Sequence, residues 1–249
     1  MEKQNIDIII SINVYKNVQF LKDQLDNIKK YVKSSFIVIL NCNDLMFDLL
    51  KNESLPNTII NPEVINKWRG NGILTKGIVS NMSLANEKFI FKYFIILSGR
   101  TIFYKELSFK NLDYIKRTIV RNDNFLINKF FYSKLGKYYQ NLKKSLYFSP
   151  HEGLCFNYQT FNTILNFLNS NLEIKEDIFT FNIPMEEYAL QTIAVNEGTG
   201  FIYVGNGIHE DYSLENPVKF TRKIFFEAKD NKRIVTNSLL LRLNYKNRR

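Results

Sequence analysis

Apolar and polar positions in the first hundred residues switch between two periods. Asp7 to Val14 (Asp-Ile-Ile-Ile-Ser-Ile-Asn-Val) is a short branched apolar run, the pattern of a strand buried on both faces. Asn17 to Lys30 then carries Val18, Leu21, Leu25 and Ile28 at helical spacing. Ser34 to Leu40 returns to a strand pattern and ends in Asn41-Cys42-Asn43-Asp44. Strand, helix, strand opens a wound α/β sheet, whose crevice lies beyond the carboxyl ends of the strands. By that rule Ser11 to Tyr15, with Asn13 among them, and Asn41 to Asp44 border one crevice. Asp44 reads equally well as a turn or cap residue. Thr58 to Ile60 is a third, short strand, and Ile78 to Asn86 a helix. Phe89 to Leu97 is the most strongly apolar stretch, and it empties into Ser98-Gly99-Arg100. A central strand running into a tight turn beside an arginine makes a good anion position, although Arg100 can also pair with a surface acid.

The second half is less regular. Trp68 to Thr75, with two glycines, looks like a phosphate loop but fails the spacing of either common fingerprint. Phe125 to Tyr139 interleaves Phe130, Phe131, Tyr138 and Tyr139 with Lys129, Lys134 and Lys137. That mixture suits single-stranded nucleic acid, a membrane-facing segment, a sugar-binding lid, or a half-buried helix or loop. Tyr147 to Phe156 places His151 beside Glu152; a metal there needs further ligands, and His209-Glu210-Asp211 is the supplier the sequence suggests. Nothing marks Cys155 as an activated nucleophile. Gln159 to Leu168 is a helix with Phe161, Ile164, Leu165 and Leu168 inward. In Ile183 to Thr192, Pro184 precedes two adjacent acids, Glu186 and Glu187, and an apolar-periodic run. Proline and acids both favour a helix start. The acids point about 100° apart on an α-helix, so one can face a cleft and the other water. Both also read as ordinary N-terminal helix acids. Gly198 to Gly207 holds a short strand.

Composition narrows the class. The chain has 249 residues, 45% of them hydrophobic, enough to bury a sizeable core. A formal net charge of +10 favours an anionic partner, without separating nucleic acid, acidic lipid and sugar nucleotide. Two cysteines, Cys42 and Cys155, form neither a disulfide framework nor a metal-spaced cluster. The first residues lack a leader's pattern and no apolar run is long enough to span a membrane. The expectation is a cytoplasmic protein with peripheral contact to an anionic membrane face.

Three segments together resemble the core-2/I-branching N-acetylglucosaminyltransferase family. Phe91 to Arg100, followed by Phe103-Tyr104-Lys105, is similar to that family's central strand and Leu-Ser-Gly turn. Pro184 to Thr192 resembles its Pro-Asp-Glu segment, with one extra residue after Pro184; Thr192 lies five after Glu187, as the pattern asks. Arg222-Lys223-Ile224 resembles the basic residue and strand near the donor diphosphate. The resemblance implies a GT-A-like α/β single domain over 1–249 with a Rossmann-like, mostly parallel central sheet flanked by helices. Residues 1–105 would form the nucleotide-binding half, 106–230 the acceptor and catalytic half, and 231–249 a basic extension.

The activity so implied is inverting transfer of a sugar, N-acetylglucosamine in the family, from a UDP-sugar to a hydroxyl of a glycan or glycolipid acceptor. Glu187 would be the catalytic base. Ser11, Asn13, Asn41, Asp44, Ser98, Gly99, Arg100, Arg222 and Lys223 would bind the donor, and Glu186, His151 and Glu152 the acceptor. No Asp-x-Asp occurs in the chain, and the expectation is a site without metal or other cofactor, in which Arg222, Lys223 and Arg100 replace the ion. The sequence departs from the family in its disulfide cysteines, and the expectation is a protein without that family's lumenal anchor and stem. A bacterial or viral relative that builds surface polysaccharide or lipooligosaccharide fits better. Two alternatives stand beside this: a metal-dependent GT-A glycosyltransferase of another family, and a basic nucleic-acid-binding protein.

Overall fold

The computed structural model describes residues 3–66, 72–99, 101–103, 105–112, 125–204, 212–213 and 240–244. Its centre is β1 (Gln4–Val14), flanked on both sides by parallel strands, β2 (Phe36–Cys42) and β4 (Phe89–Ser98). A strand with neighbours on both edges and helices over both faces is mostly apolar; the isoleucines at 8, 9, 10 and 12 are fully buried, and Ser11 and Asn13 are its buried polar exceptions. β3 (Thr58–Ile60) extends the sheet beyond β2 in parallel. On the other side β6 (Leu154–Asn157) pairs antiparallel with β4, and β7 (Ile202–Tyr203) antiparallel with β6. The order is β3-β2-β1-β4-β6-β7, the mostly parallel α/β sheet expected from the chain's pattern. A small second sheet joins β5 (Thr101–Phe103), β9 (Leu240–Asn244) and β8 (Tyr212–Ser213).

Alternation along the strands divides the core in two. Ile8, Ile10, Ile12, Leu40, Tyr93, Ile95 and Leu97 face α1 (Val18–Tyr31) and α2 (Asp44–Leu50). Ile9, Ile39, Phe94, Ile96 and Phe156 face α3 (Ile73–Lys88), α7 (Tyr158–Ser170) and α9 (Ala189–Asn196). Between β5 and β6 along the chain come α4 (Phe109–Leu112), α5 (Phe125–Phe130) and α6 (Lys134–Asn141), and α8 (Leu172–Thr180) follows α7. Asn17 and Asn43 cap α1 and α2 through their side chains, which satisfies amide groups that a helix start leaves bare. No helix among the described residues is long and apolar enough to cross a membrane.

Several elements were not legible beforehand. α2 and α8 are helices where no helix was expected, and β6 is a strand inside the stretch read for its histidine. α3 starts at Ile73 rather than Ile78. The acidic pair after Pro184 does not open an α-helix. Met185–Glu187 is a single 3-10 turn, closed by Tyr188 at φ −127° and ψ −48°, and α9 begins only at Ala189.

Candidate functional site

The antiparallel run of β6 decides where the site lies. Cys155 is opposite Ile95, and Gly153 N donates to Ile96 O, so the residues entering β6 sit beside the end of β4. Asn13 pairs with Ser98, and Asn41 with Asn13, at that edge. His151 and Glu152 are therefore delivered to the carboxyl rim of the parallel strands, the place where an α/β sheet opens a crevice.

The 3-10 turn reaches the same rim. Ser149 N donates to Glu187 O. The buried Gln191 amide donates to Ser149 O and to Glu186 O, each at 2.9 Å. Thr192 braces the loop further, its Oγ1 accepting from Tyr147 N and donating to Tyr147 O. Tyr188, fully buried, packs its ring on Phe148 and Phe130. The loop before β6 and the acidic turn are thus one braced unit.

This unit brings three ionisable side chains together. His151 Nδ1 lies 3.6 Å from Glu152 Oε2 and 4.0 Å from Glu187 Oε1. One ligand atom from each of His151, Glu152 and Glu187 falls within 4.8 Å of the others. Burial first, and the Glu152 charge second, push the Glu187 carboxyl up to about 7. Burial, with added repulsion from Glu187 and Glu152, pushes Glu186 up to about 8 despite a backbone hydrogen bond that works the other way. Burial and the Glu187 charge also raise the Tyr188 hydroxyl. Among the described residues His151 Nδ1 and Glu186 Oε2 are buried and make no hydrogen bond.

Crowding carboxylates out of water is costly unless something positive compensates them. A histidine nitrogen and two carboxylates are also a ligand set that borderline and hard divalent ions accept. The residues therefore fit a cation. This corrects the expectation of a metal-free, cofactor-free site. The sequence asked for further ligands to join His151 and Glu152, and the structure supplies Glu187 in that place.

The other candidate residues fall into two groups. Ser11 and Asn13 point to the α3 face. Ser11 is buried and its Oγ accepts from Asn81, which also donates to Ile39 O. Asn13 donates to Leu74 O at 2.9 Å, and its buried Oδ1 makes no hydrogen bond among the described residues. Asn41 donates to Glu63 O. Asp44 is exposed, opens α2 and exchanges two hydrogen bonds with Asn66. Ser98 and Gly99 form the turn at the rim. Gln24 holds that turn through Ser98 O and Thr101 O, and Ser98 also bonds Thr101 Oγ1. Arg100, Arg222, Lys223 and His209 to Asp211 lie outside the described residues, as do residues 67–71 of the glycine-containing loop. Cys155 is fully buried and its thiol is held above the usual range by that burial, which leaves no reactive thiolate beside His151.

Gln191 and Ser149, which hold the acidic turn on the loop, were not anticipated. The signal that could have found the first is a glutamine amid the apolar positions of the run after the acidic pair.

No family model and no curated protein matches this chain. Among solved structures it is similar to an active-site mutant of LgtC, at 9% identity and a TM-score of 0.40, over 96% of this chain and 87% of that one. It is likewise similar to galactosyltransferase LgtC in complex with donor and acceptor sugar analogs, at 8% identity and a TM-score of 0.39, with the same coverage. A likeness this low settles nothing about chemistry, and the core-2/I-branching family finds no match.

Proposed function

We propose that this chain is a GT-A-like, metal-dependent glycosyltransferase, moving a sugar from a nucleotide-sugar donor to a hydroxyl of a glycan acceptor. The observation that carries the reading is the convergence of His151, Glu152 and Glu187 at the carboxyl rim of a mostly parallel sheet. A cation held by those three residues would neutralise charge growing on the departing diphosphate. The net charge of +10 favours approach of an anionic donor.

The chain's own residues do the rest. Gln191 and Ser149 fix the acidic turn against the loop, so that the three ligand side chains need little ordering on binding. The turn at Ser98 and Gly99 approaches the end of β1 closely, a Cβ on Gly99 lying 3.5 Å from Asn13 O. That turn, tied to Gln24 and Thr101, borders the crevice a donor would enter. With Glu187 on the ion, Glu186 is the neighbouring carboxyl left for the acceptor's proton.

The test is a thermal-shift and turnover panel of UDP-, GDP- and CMP-sugars, each with EDTA, manganese or zinc. Stabilisation and release of free nucleotide by at least one donor, dependent on the added ion, is the expected result. If no donor is bound or consumed under any of these conditions, the reading is wrong.

A further inference from the structure

The corner between α5 and α6 carries a shallow, open hollow lined by Asn128, Phe131, Tyr132, Lys137 and Gln140. Its two rings face outward: Tyr132 is 73% exposed and Phe131 36%, while their neighbour Phe130 is fully buried against Tyr188 at 5.2 Å. Leaving such rings in water forgoes the free energy of burying them.

The backbone presenting them is fixed. Tyr132 N donates to Lys129 O, Ser133 Oγ to Phe130 O, Gly136 N to Ser133 Oγ and Gln140 Nε2 to Phe131 O. A Cβ at Gly136 would lie 2.2 Å from Phe130 O, so α6 can seat the turn this closely only with glycine there. Rings held outward on a braced turn are pre-organised for contact.

The chemistry around them selects the contact. A pyranose has apolar C–H faces and a rim of hydroxyls. Aromatic faces accept the former, and an amide and an ammonium in the same concavity bond the latter. Asn128 and Lys137 supply those groups. A bilayer would call for protruding apolar tips ringed by several free lysines. Here the rings flank an open hollow whose lining mixes apolar and polar groups, and nearby Lys134 is already paired with Glu173 at 2.9 Å.

We infer that this pocket binds a sugar unit of an oligosaccharide, remote from the hydroxyl that reacts. The inference rests on the glycosyl-transfer reading for the biological role of that oligosaccharide, while sugar binding itself is measured separately.

Saturation-transfer NMR on the full chain, with maltotetraose and triacetylchitotriose as probes, tests it. Tyr132→Ala and Asn128→Ala are compared with wild type, and their melting curves check the fold. The expected result is saturation of at least one probe, weakened about fivefold or more in each variant, the effect of losing roughly one good contact. No saturation of either probe, or saturation unchanged in both variants, overturns the inference. So does loss of sedimentation with phosphatidylglycerol vesicles in the variants while sugar binding persists, which would make the corner a membrane contact. Nucleotide-sugar consumption by the wild-type chain is measured alongside. If it is absent while Tyr132→Ala still loses the oligosaccharide, the transfer reading fails and the sugar pocket stands.

Discussion

His151 Nδ1 stands 4.0 Å from Glu187 Oε1, although the two residues belong to different segments and meet only because the loop before β6 is bonded to the turn before α9. If these atoms share an ion, losing either should weaken it without unfolding the chain. Glu187→Gln and His151→Ala are expected to lower manganese or zinc affinity at least about tenfold, in the range found when a ligand or its close support is removed. Calorimetric titration measures this directly. Unchanged ion affinity with lost turnover in Glu187→Gln would make Glu187 the acceptor's base instead of a ligand.

Glu186 sits beside that cluster, 7% exposed, with Oε2 lacking a hydrogen bond among the described residues. In ion-free protein a buried carboxyl so placed works against folding. Glu186→Gln keeps its shape and removes the charge. Measured by urea unfolding in EDTA at neutral pH, it is expected to be more stable than wild type by about 1 kcal/mol or more. Equal or lower stability would show that the carboxylate is satisfied as it stands.

Asp7 gives a pH dependence far from the site. Burial alone would raise its carboxyl, but hydrogen bonds and charge from Lys92, together with Ser35, outweigh this and hold it below the ordinary value. Lys92 Nζ lies 2.7 Å from Asp7 Oδ1 and also covers the Phe109 ring. A depressed folded value means the contribution is complete above the unfolded carboxylate range, near 4, and is lost as pH falls through the folded value. The pair is largely solvated, so the amount is small, about 0.2–1 kcal/mol. Asp7→Asn should show that deficit at pH 6 and converge on wild type only as pH falls below the folded value in matched denaturant titrations.

Two glycines should respond oppositely to one methyl group. A Cβ on Gly72 would stand 1.5 Å from Ile178 O, whereas on Gly99 the nearest atom is 3.5 Å away. Backbone cannot yield as a side chain does. Gly72→Ala is expected to cost about 3 kcal/mol or more, by forcing α3 and α8 apart. Gly99→Ala should leave the melting midpoint near wild type. Equal midpoints for the two would show that the α3–α8 approach is not required.

The left half of the sheet could be read from the chain because its strands are buried on both faces and therefore continuously apolar. Strand β1, helix α1 and strands β2 and β4 follow period alone, and the rim carrying Ser98 and Gly99 follows with them. β6, Leu154 to Asn157, escaped because its pairing with β4 is non-local and spacing along the chain does not show it. α2 escaped because Asn43, its cap, reads as the end of a strand turn. The acidic pair was singled out, but as a helix start. The tight 3-10 turn, and the bonds from Gln191 that hold it, depend on packing that spacing does not encode. For the same reason the meeting of His151 and Glu152 with Glu187, and with it the case for an ion, could not be seen along the chain.

One consequence follows from β6 running against β4. The polypeptide leaves β4 at Ser98 and re-enters the sheet at Leu154 beside it, so the approach to β6 is steered to the open end of the parallel strands. A single reversed strand thus lets residues more than fifty positions from the rim furnish its acidic and imidazole groups.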